Sequence, residues 1–233
     1  MIVALGVERA ALRAHVERDP PLGVIQSGPG PARAASAATA ALASGASGLL
    51  SFGLAGALRA ELEPGAVLLP RRVRSTAGAS FDVDSEWHAQ IDAAARHLGL
   101  APALGDLLSV PAAITTAAEK ARAAANGAAA ADMESAAIAA VAARAGARFV
   151  ALRVVVDAAG DELPADIERW IDERGERRIG PALSAALTPK QWRGLWMLAQ
   201  RYRAARRTLA RLAPIVAGAR FGSHAPASRR AAS

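Results

Sequence analysis

Residues 148–157, RFVALRVVVD, constrain the fold more than any other stretch. A strand presents alternate residues to two faces, and between the terminal Arg148 and Asp157 both faces are apolar apart from Arg153, so both must be covered. Strands of this kind sit inside parallel or mixed sheets flanked by helices. The rest of the chain fits that reading. IVALGV near the start and GVIQSG at 23–28 read as strands, and residues 32–44 are rich in good helix formers. GLLSFGLAGAL at 48–58 reads as an apolar strand running into a glycine-bearing loop. AVLLPRRV, an irregular polar stretch at about 75–86, a helical segment at 87–97, DLLSVPAAI and an alanine-rich helix at 133–145 continue the alternation. The expected architecture is α/β: one three-layer domain over 1–188 with a mixed, mostly parallel central sheet flanked by helices. A chain of 233 residues can bury one sizeable core without a second domain.

The net charge of +7 belongs to one end. Residues 190–233 hold ten Lys or Arg and no acid, leaving 18 basic against 21 acidic side chains before them. A mildly acidic body with a cationic extension argues against a nucleic-acid-binding domain and for a catalytic domain carrying an interaction element. No run approaches the roughly 18 apolar residues of a membrane-spanning helix. MIVALGVERA lacks a basic leader and places Glu8 early, and the chain has no cysteine, so a cytoplasmic location is expected. Without thiolates, and with His15, His88, His97 and His224 lacking metal spacing, no metal site is expected.

Several residues stand where chemistry collects. Ligands of open α/β sheets gather at the carboxyl ends of strands, and Asp157 ends ALRVVVD. Its apolar approach predicts desolvation, which raises a carboxyl pKa and lets the acid hold a proton near neutral pH. A helix or turn cap is the alternative. Glu134, in ADMESAAIAAV, falls at a helix start, where the dipole favours the ionised form; dipole complementation alone would also account for it. Met133 beside it reads as core packing or a ligand contact. Arg153 shares a strand face with Asp157 by period two and needs a partner, for which Glu8, at the end of the first strand-like run, is the candidate. In SGPGPAR, Gly28 and Gly30 precede a helix whose N–H groups could cradle an anion with Arg33 adding charge, although Pro29 and Pro31 supply no donors. Gly53 and Gly56 in SFGLAGAL would let a ligand approach the backbone.

Taken in order, GVERAAL, SGPGPARA, SFGLAGALRAELEPGAVLLP, ADMESAAIAAV and FVALRVVVD resemble the superfamily of purine nucleoside phosphorylases and methylthioadenosine/S-adenosylhomocysteine nucleosidases. The resemblance covers most of residues 1–165 and implies cleavage of a purine N-ribosidic bond. It makes Asp157 the acid at the purine, Met133 and Glu134 the ribose-contacting pair, and Glu8 and Arg153 groups near the nucleophile. It implies no cofactor, leaves inorganic phosphate open as a co-substrate, and implies a homo-oligomer such as a dimer. Within the superfamily, LLSFGLAGAL, LEPGAVLLP, DMES and the helical extension beyond Pro189 are most similar to the hopanoid-biosynthesis phosphorylases, which implies a lipid-linked adenosine, adenosylhopane, as substrate. Methylthioadenosine, S-adenosylhomocysteine or a free nucleoside is the second reading, and a non-catalytic purine- or lipid-binding protein the third. The chain departs from the nucleosidases at Leu54 and Val156, where they carry serine, and at Ala113, where they carry a base-stacking aromatic.

Beyond the catalytic stretch, 189–218 reads as a basic amphipathic helix and 219–233 as a flexible tail. Trp192, Leu195, Trp196, Ala199, Tyr202, Ala205, Leu209, Leu212 and Val216 recur at helical spacing, opposite Arg193, Arg203, Arg206, Arg207 and Arg211. This pattern fits a helix lying on the inner face of an anionic membrane, or one packing on its own domain with a solvated basic side.

Overall fold

The computed structural model describes residues 1–16, 23–164, 167, 172–176 and 192–218, with the side chains of 15, 16 and 192–196 excepted. Among these residues a single nine-stranded sheet is sandwiched between helices. In chain order the elements are β1 (Ile2–Val3), α1 (Gly6–Val16), β2 (Ile25–Gln26), α2 (Pro31–Ala43), β3 (Gly48–Ala57), β4 (Val67–Leu68), β5 (Arg72–Ser75), β6 (Ser80–Asp82), α3 (Ser85–His97), β7 (Asp106–Ser109), α4 (Ala117–Ala124), β8 (Ala128–Asp132), α5 (Ser135–Ala145), β9 (Arg148–Asp157) and α6 (Trp192–Gly218). The sheet runs β2-β1-β3-β8-β7-β5-β6, with β9 paired to β3 and β4. Pairs β1/β2, β1/β3, β3/β9, β5/β7 and β7/β8 are parallel, while β3/β8, β4/β9 and β5/β6 are antiparallel. The mixed, mostly parallel sheet is therefore as expected.

The alternation along β9 divides the core. Phe149, Ala151 and Val155 join the cluster built with the alanines of α2 and α5, whereas Val150, Leu152 and Val154 join the cluster under α1, α3 and α6. Small side chains on α2 and α5 let those helices lie close to the sheet and to each other, and methyl groups fill the space that larger residues occupy on the opposite face. Trp87, Ile91, Leu209, Leu212 and Val216 supply the bulk there.

Two expectations change, and for the C-terminal helix one of two open alternatives holds over part of its length. IVALGV is a strand only at Ile2–Val3, and α1 begins at Gly6, so Glu8 lies in a helical first turn rather than at a strand end. Its carboxylate accepts from the backbone N–H groups of Ala4 and Leu5, fixing the chain in a turn before the helix. Gly53 and Gly56 lie within β3, which continues to Ala57 alongside β9, rather than in a loop. The C-terminal helix packs on its own domain from Ala205 to Ala217, so its apolar stripe is core there. Trp192, Leu195, Trp196 and the 219–233 tail fall outside what is described of side chains and chain respectively. Among the described residues, no helix is long and apolar enough to cross a membrane.

Candidate active site

Arg153 sits on the α2/α5 side of β9 and is 3% exposed. An arginine so deep is tolerable only if its donors are used and its charge is opposed. Both conditions hold, but the partner is Asp132, at the end of β8, rather than Glu8. Arg153 Nε and Nη2 donate to Asp132 Oδ2 at 2.9 and 2.6 Å, and Nη2 also donates to Ser51 Oγ at 2.6 Å and Ser135 Oγ at 2.8 Å. Ser109 Oγ donates to the other Asp132 oxygen at 2.5 Å. Burial would lower the Arg153 pKa, yet the charges of Asp132, Glu8 and Glu134 outweigh it and hold the guanidinium ionised.

Glu8 reaches the same region from α1. Its Oε2 accepts from Ala4 and Leu5 N–H at 2.8 and 2.9 Å, and its Oε1 accepts from Leu54 N–H at 2.8 Å. Gly53 makes this approach possible, because a Cβ there would overlap Glu8 Oε1 and come within 2.8 Å of Arg153 Nη1. The glycine thus admits the protein's own carboxylate to the backbone. Burial pushes the Glu8 carboxyl up, opposed by the Arg153 charge and the three backbone donors.

Glu134 occupies the N-cap position of α5, as expected from sequence, but its ionisation is not dominated by the helix dipole. Burial first, and then the neighbouring Asp132, push its pKa up to about 7, against the opposing influence of Arg153 and Gly30 N–H. Gly30 N–H donates to Glu134 Oε1 at 2.8 Å, so this donor of the proline-interrupted loop serves a protein carboxylate. Both Gly28 and Gly30 have positive φ, 79° and 100°, the backbone shape that brings the loop round to α2. Arg33 faces the solvent side, 3.3 Å from the exposed Glu173 carboxylate. Arg9, Gln26, Ser27, Arg33, Glu173, Arg174 and Glu176 line a cleft of about 530 Å³ beside this loop, and none of the buried acids lines it. Met133 is half-buried and packs against the cluster of Leu58, Leu108, Val110, Ala128 and Ala131, while its N–H donates to Glu134 Oε2 at 3.3 Å.

Asp157 ends β9 as the sequence predicts and is 3% exposed. A register shift between Ala55 and Gly56 leaves Val156 without a partner on β3, interrupting the alternation that would align Asp157 with Arg153. Their contacts accordingly differ. Asp157 pairs with Lys120 of α4, whose Nζ also donates to Ala158 O at 2.7 Å. Gly56, opposite Asp157, leaves room for the carboxyl, since a Cβ would lie 3.1 Å from Oδ2. Burial pushes the Asp157 carboxyl up, with Lys120 pulling the other way. The loop after β9 meets the loop after β7 where Leu163 N–H donates to Thr115 O at 2.8 Å, near the half-buried Ala113.

The sequence reading overlooked Asp132, Lys120 and the serines around Arg153. Asp132 could have been found, because AAAAD repeats the pattern of an acid closing an apolar strand. Lys120 could not: in AAEKARAA it sits between Glu119 and Arg122 like any residue of a solvated helix face. Among the described residues no group of three or more His, Asp or Glu is arranged to hold a metal ion.

Comparison with known proteins adds three findings. Residues 18–188 match the family model of the phosphorylase superfamily. A comparison with curated protein sequences gives no match. Among solved structures, the 5′-methylthioadenosine/S-adenosylhomocysteine nucleosidase of Neisseria meningitidis, in complex with methylthio-immucillin-A, superposes with a TM-score of 0.71 at 21% identity, covering 94% of this chain and 97% of that one. The futalosine hydrolase of Helicobacter pylori gives 0.69 at 16% identity over 94% and 96%. The S-adenosylhomocysteine nucleosidase of Streptococcus pyogenes gives 0.60 at 20% identity over 68% and 83%. At these identities the superpositions speak to the fold.

Proposed function

This chain belongs to the phosphorylase superfamily and is an enzyme of the nucleosidase or phosphorylase type; from that premise we propose that it cleaves the N-ribosidic bond of an adenosine-type substrate and releases adenine. The observation carrying this reading is a set of three buried carboxyls, Glu8 and Glu134 in the field of Arg153 and Asp157 at the end of β9. Breaking the bond leaves electrons on the base and positive charge on the sugar. Asp157, its carboxyl pKa raised by burial, would donate a proton to purine N7 so that the base departs neutral. Ionised Glu134 would accept from ribose hydroxyls and oppose the sugar's charge, with Met133 against the sugar. Glu8, with Arg153 beside it, would orient the nucleophile, water or phosphate. Gly28, Gly30 and Arg33 would border an anion, although Gly30 N–H and the Arg33–Glu173 pair are already engaged, which favours water.

The favoured substrate carries a lipid, as in adenosylhopane, presented at the inner membrane face. Supporting this, Arg203, Arg206 and Arg207 stand exposed on α6, and Met197 is 44% exposed at the end of its described side chains. A soluble substrate such as methylthioadenosine is the second reading, favoured by the burial of Ala205, Leu209, Leu212 and Val216. The test is incubation with an adenosyl-lipid in vesicles and with soluble adenosine nucleosides, each with and without phosphate, followed by identification of base and sugar. Adenine with free sugar from the lipid supports the first reading; adenine only from soluble nucleosides supports the second; a sugar phosphate would establish phosphate as nucleophile; no adenine from any substrate would refute enzymatic cleavage of this class.

A further inference from the structure

Lys120 is 2% exposed and places Nζ against Asp157 Oδ2 and the Ala158 carbonyl. Neither its burial nor its partner is needed to form α4. That helix starts at a capping box in which Glu119 N–H donates to Thr116 Oγ1 at 3.2 Å and Thr116 N–H donates to Glu119 Oε2 at 3.1 Å. Taking an ammonium out of water is costly, and a neutral long side chain could fill the same space. The charge is therefore spent on Asp157. Among the described residues, the charged groups that act most strongly on Asp157 come from three elements: Lys120 from α4, Asp161 from the loop after β9, and Arg201 from α6. Arg201 is itself paired with Asp161, whose Oδ2 accepts from Ala158 N–H at 2.7 Å. That pair is close to neutral as seen from Asp157, which leaves Lys120 as the cation acting directly on it.

We propose that Lys120 is a positioning residue for Asp157, fixing the orientation of its carboxyl and setting the pH at which it gives up its proton. The inference rests on the reading of Asp157 as the acid. Lys120 points at the carboxyl and the backbone carbonyl next to it, so it acts through Asp157 and not on the purine. A cation in contact holds a carboxyl pKa down by roughly 1–3 units, countering burial and keeping the acid from becoming so weak that it cannot release its proton to the departing base.

The test is the pH dependence of adenine release by Lys120→Gln, Lys120→Met and Lys120→Arg, with Asp157→Asn alongside. In kcat/KM the alkaline limb reports the essential acid of the free enzyme. Removing the cation should move that limb up by about one unit or more in the Gln and Met variants. Turnover should fall about tenfold or more, with KM within about twofold of wild type. Arg keeps the charge but replaces a compact ammonium with a bulkier planar guanidinium in a buried space, so its limb stays in place while turnover falls. Gln retains donors for Asp157 and Ala158 and gives the reading should Met not fold. A folded Gln or Met variant with its limb at or below the wild-type position overturns the inference while Asp157→Asn remains inactive. Wild-type turnover in folded Asp157→Asn removes the acid assignment itself, and the inference with it.

Discussion

Glu134 is buried beside two other acids, Asp132 and Glu8, with Arg153 as their neighbouring cation. Folding raises its pKa from 4.5 to about 7, so between those values the folded protein holds a proton that the unfolded chain has released. Its contribution to stability is full below the lower value and disappears as pH rises through about 7. Urea unfolding of wild type should therefore show a higher midpoint at pH 5 than at pH 8, and Glu134→Gln should narrow the gap; an unchanged gap would contradict the burial argument. The same substitution should lower turnover about 100-fold or more if the ionised form faces the sugar. Asp157 behaves differently. A desolvated carboxyl considered alone suggests that Asp157→Asn holds or gains stability, but it would strand the Lys120 ammonium, and breaking a buried pair costs about 3–5 kcal/mol. Asp157 and Glu134 could be read from sequence because each sits at an element end, where local pattern places it. Lys120 could not, because its role depends on a contact made 37 residues away.

The β3/β9 pair is where local pattern and tertiary demand diverge. Glycines in SFGLAGAL read as loop because they are poor strand formers. They persist in the strand because side chains from elsewhere occupy the space of their missing Cβ atoms, Glu8 at Gly53 and Asp157 at Gly56. Gly53→Ala should displace Glu8 or Arg153 and destabilise by about 1–3 kcal/mol, with loss of activity. Gly56→Ala, at 3.1 Å from Asp157, should be milder in stability. Thermal unfolding of the two variants checks the order, and a neutral Gly53→Ala would contradict the packing. The strand RFVALRVVVD itself was legible throughout, since its two apolar faces fix its position between helical layers. The early strand was not, because Glu8 turns the chain into a helix at Gly6 through hydrogen bonds that no propensity reveals.

At the scale of the molecule, α6 belongs to both the core and the surface. Ala205, Leu209, Leu212 and Val216 are buried, so removing the helix should unfold the domain rather than leave a soluble catalytic body. Its surface role is better tested by Arg203→Gln/Arg206→Gln/Arg207→Gln, which keeps the buried stripe. This triple variant should lose binding to anionic vesicles, which in wild type should weaken with salt because screening acts over about 10 Å at 0.1 M, while activity on soluble nucleosides remains. Equal vesicle binding by both would refute the membrane contact. The amphipathic pattern alone could not distinguish a lipid surface from the protein's own core, because both reward the same spacing. Chemistry is the claim on which the rest depends, and adenine release by wild type and by folded Asp157→Asn tests it most directly. The account predicts release by wild type and a loss of roughly 100-fold to 10,000-fold in turnover for Asp157→Asn, with modest change in purine binding. Adenine release by the folded variant at the wild-type rate would contradict it.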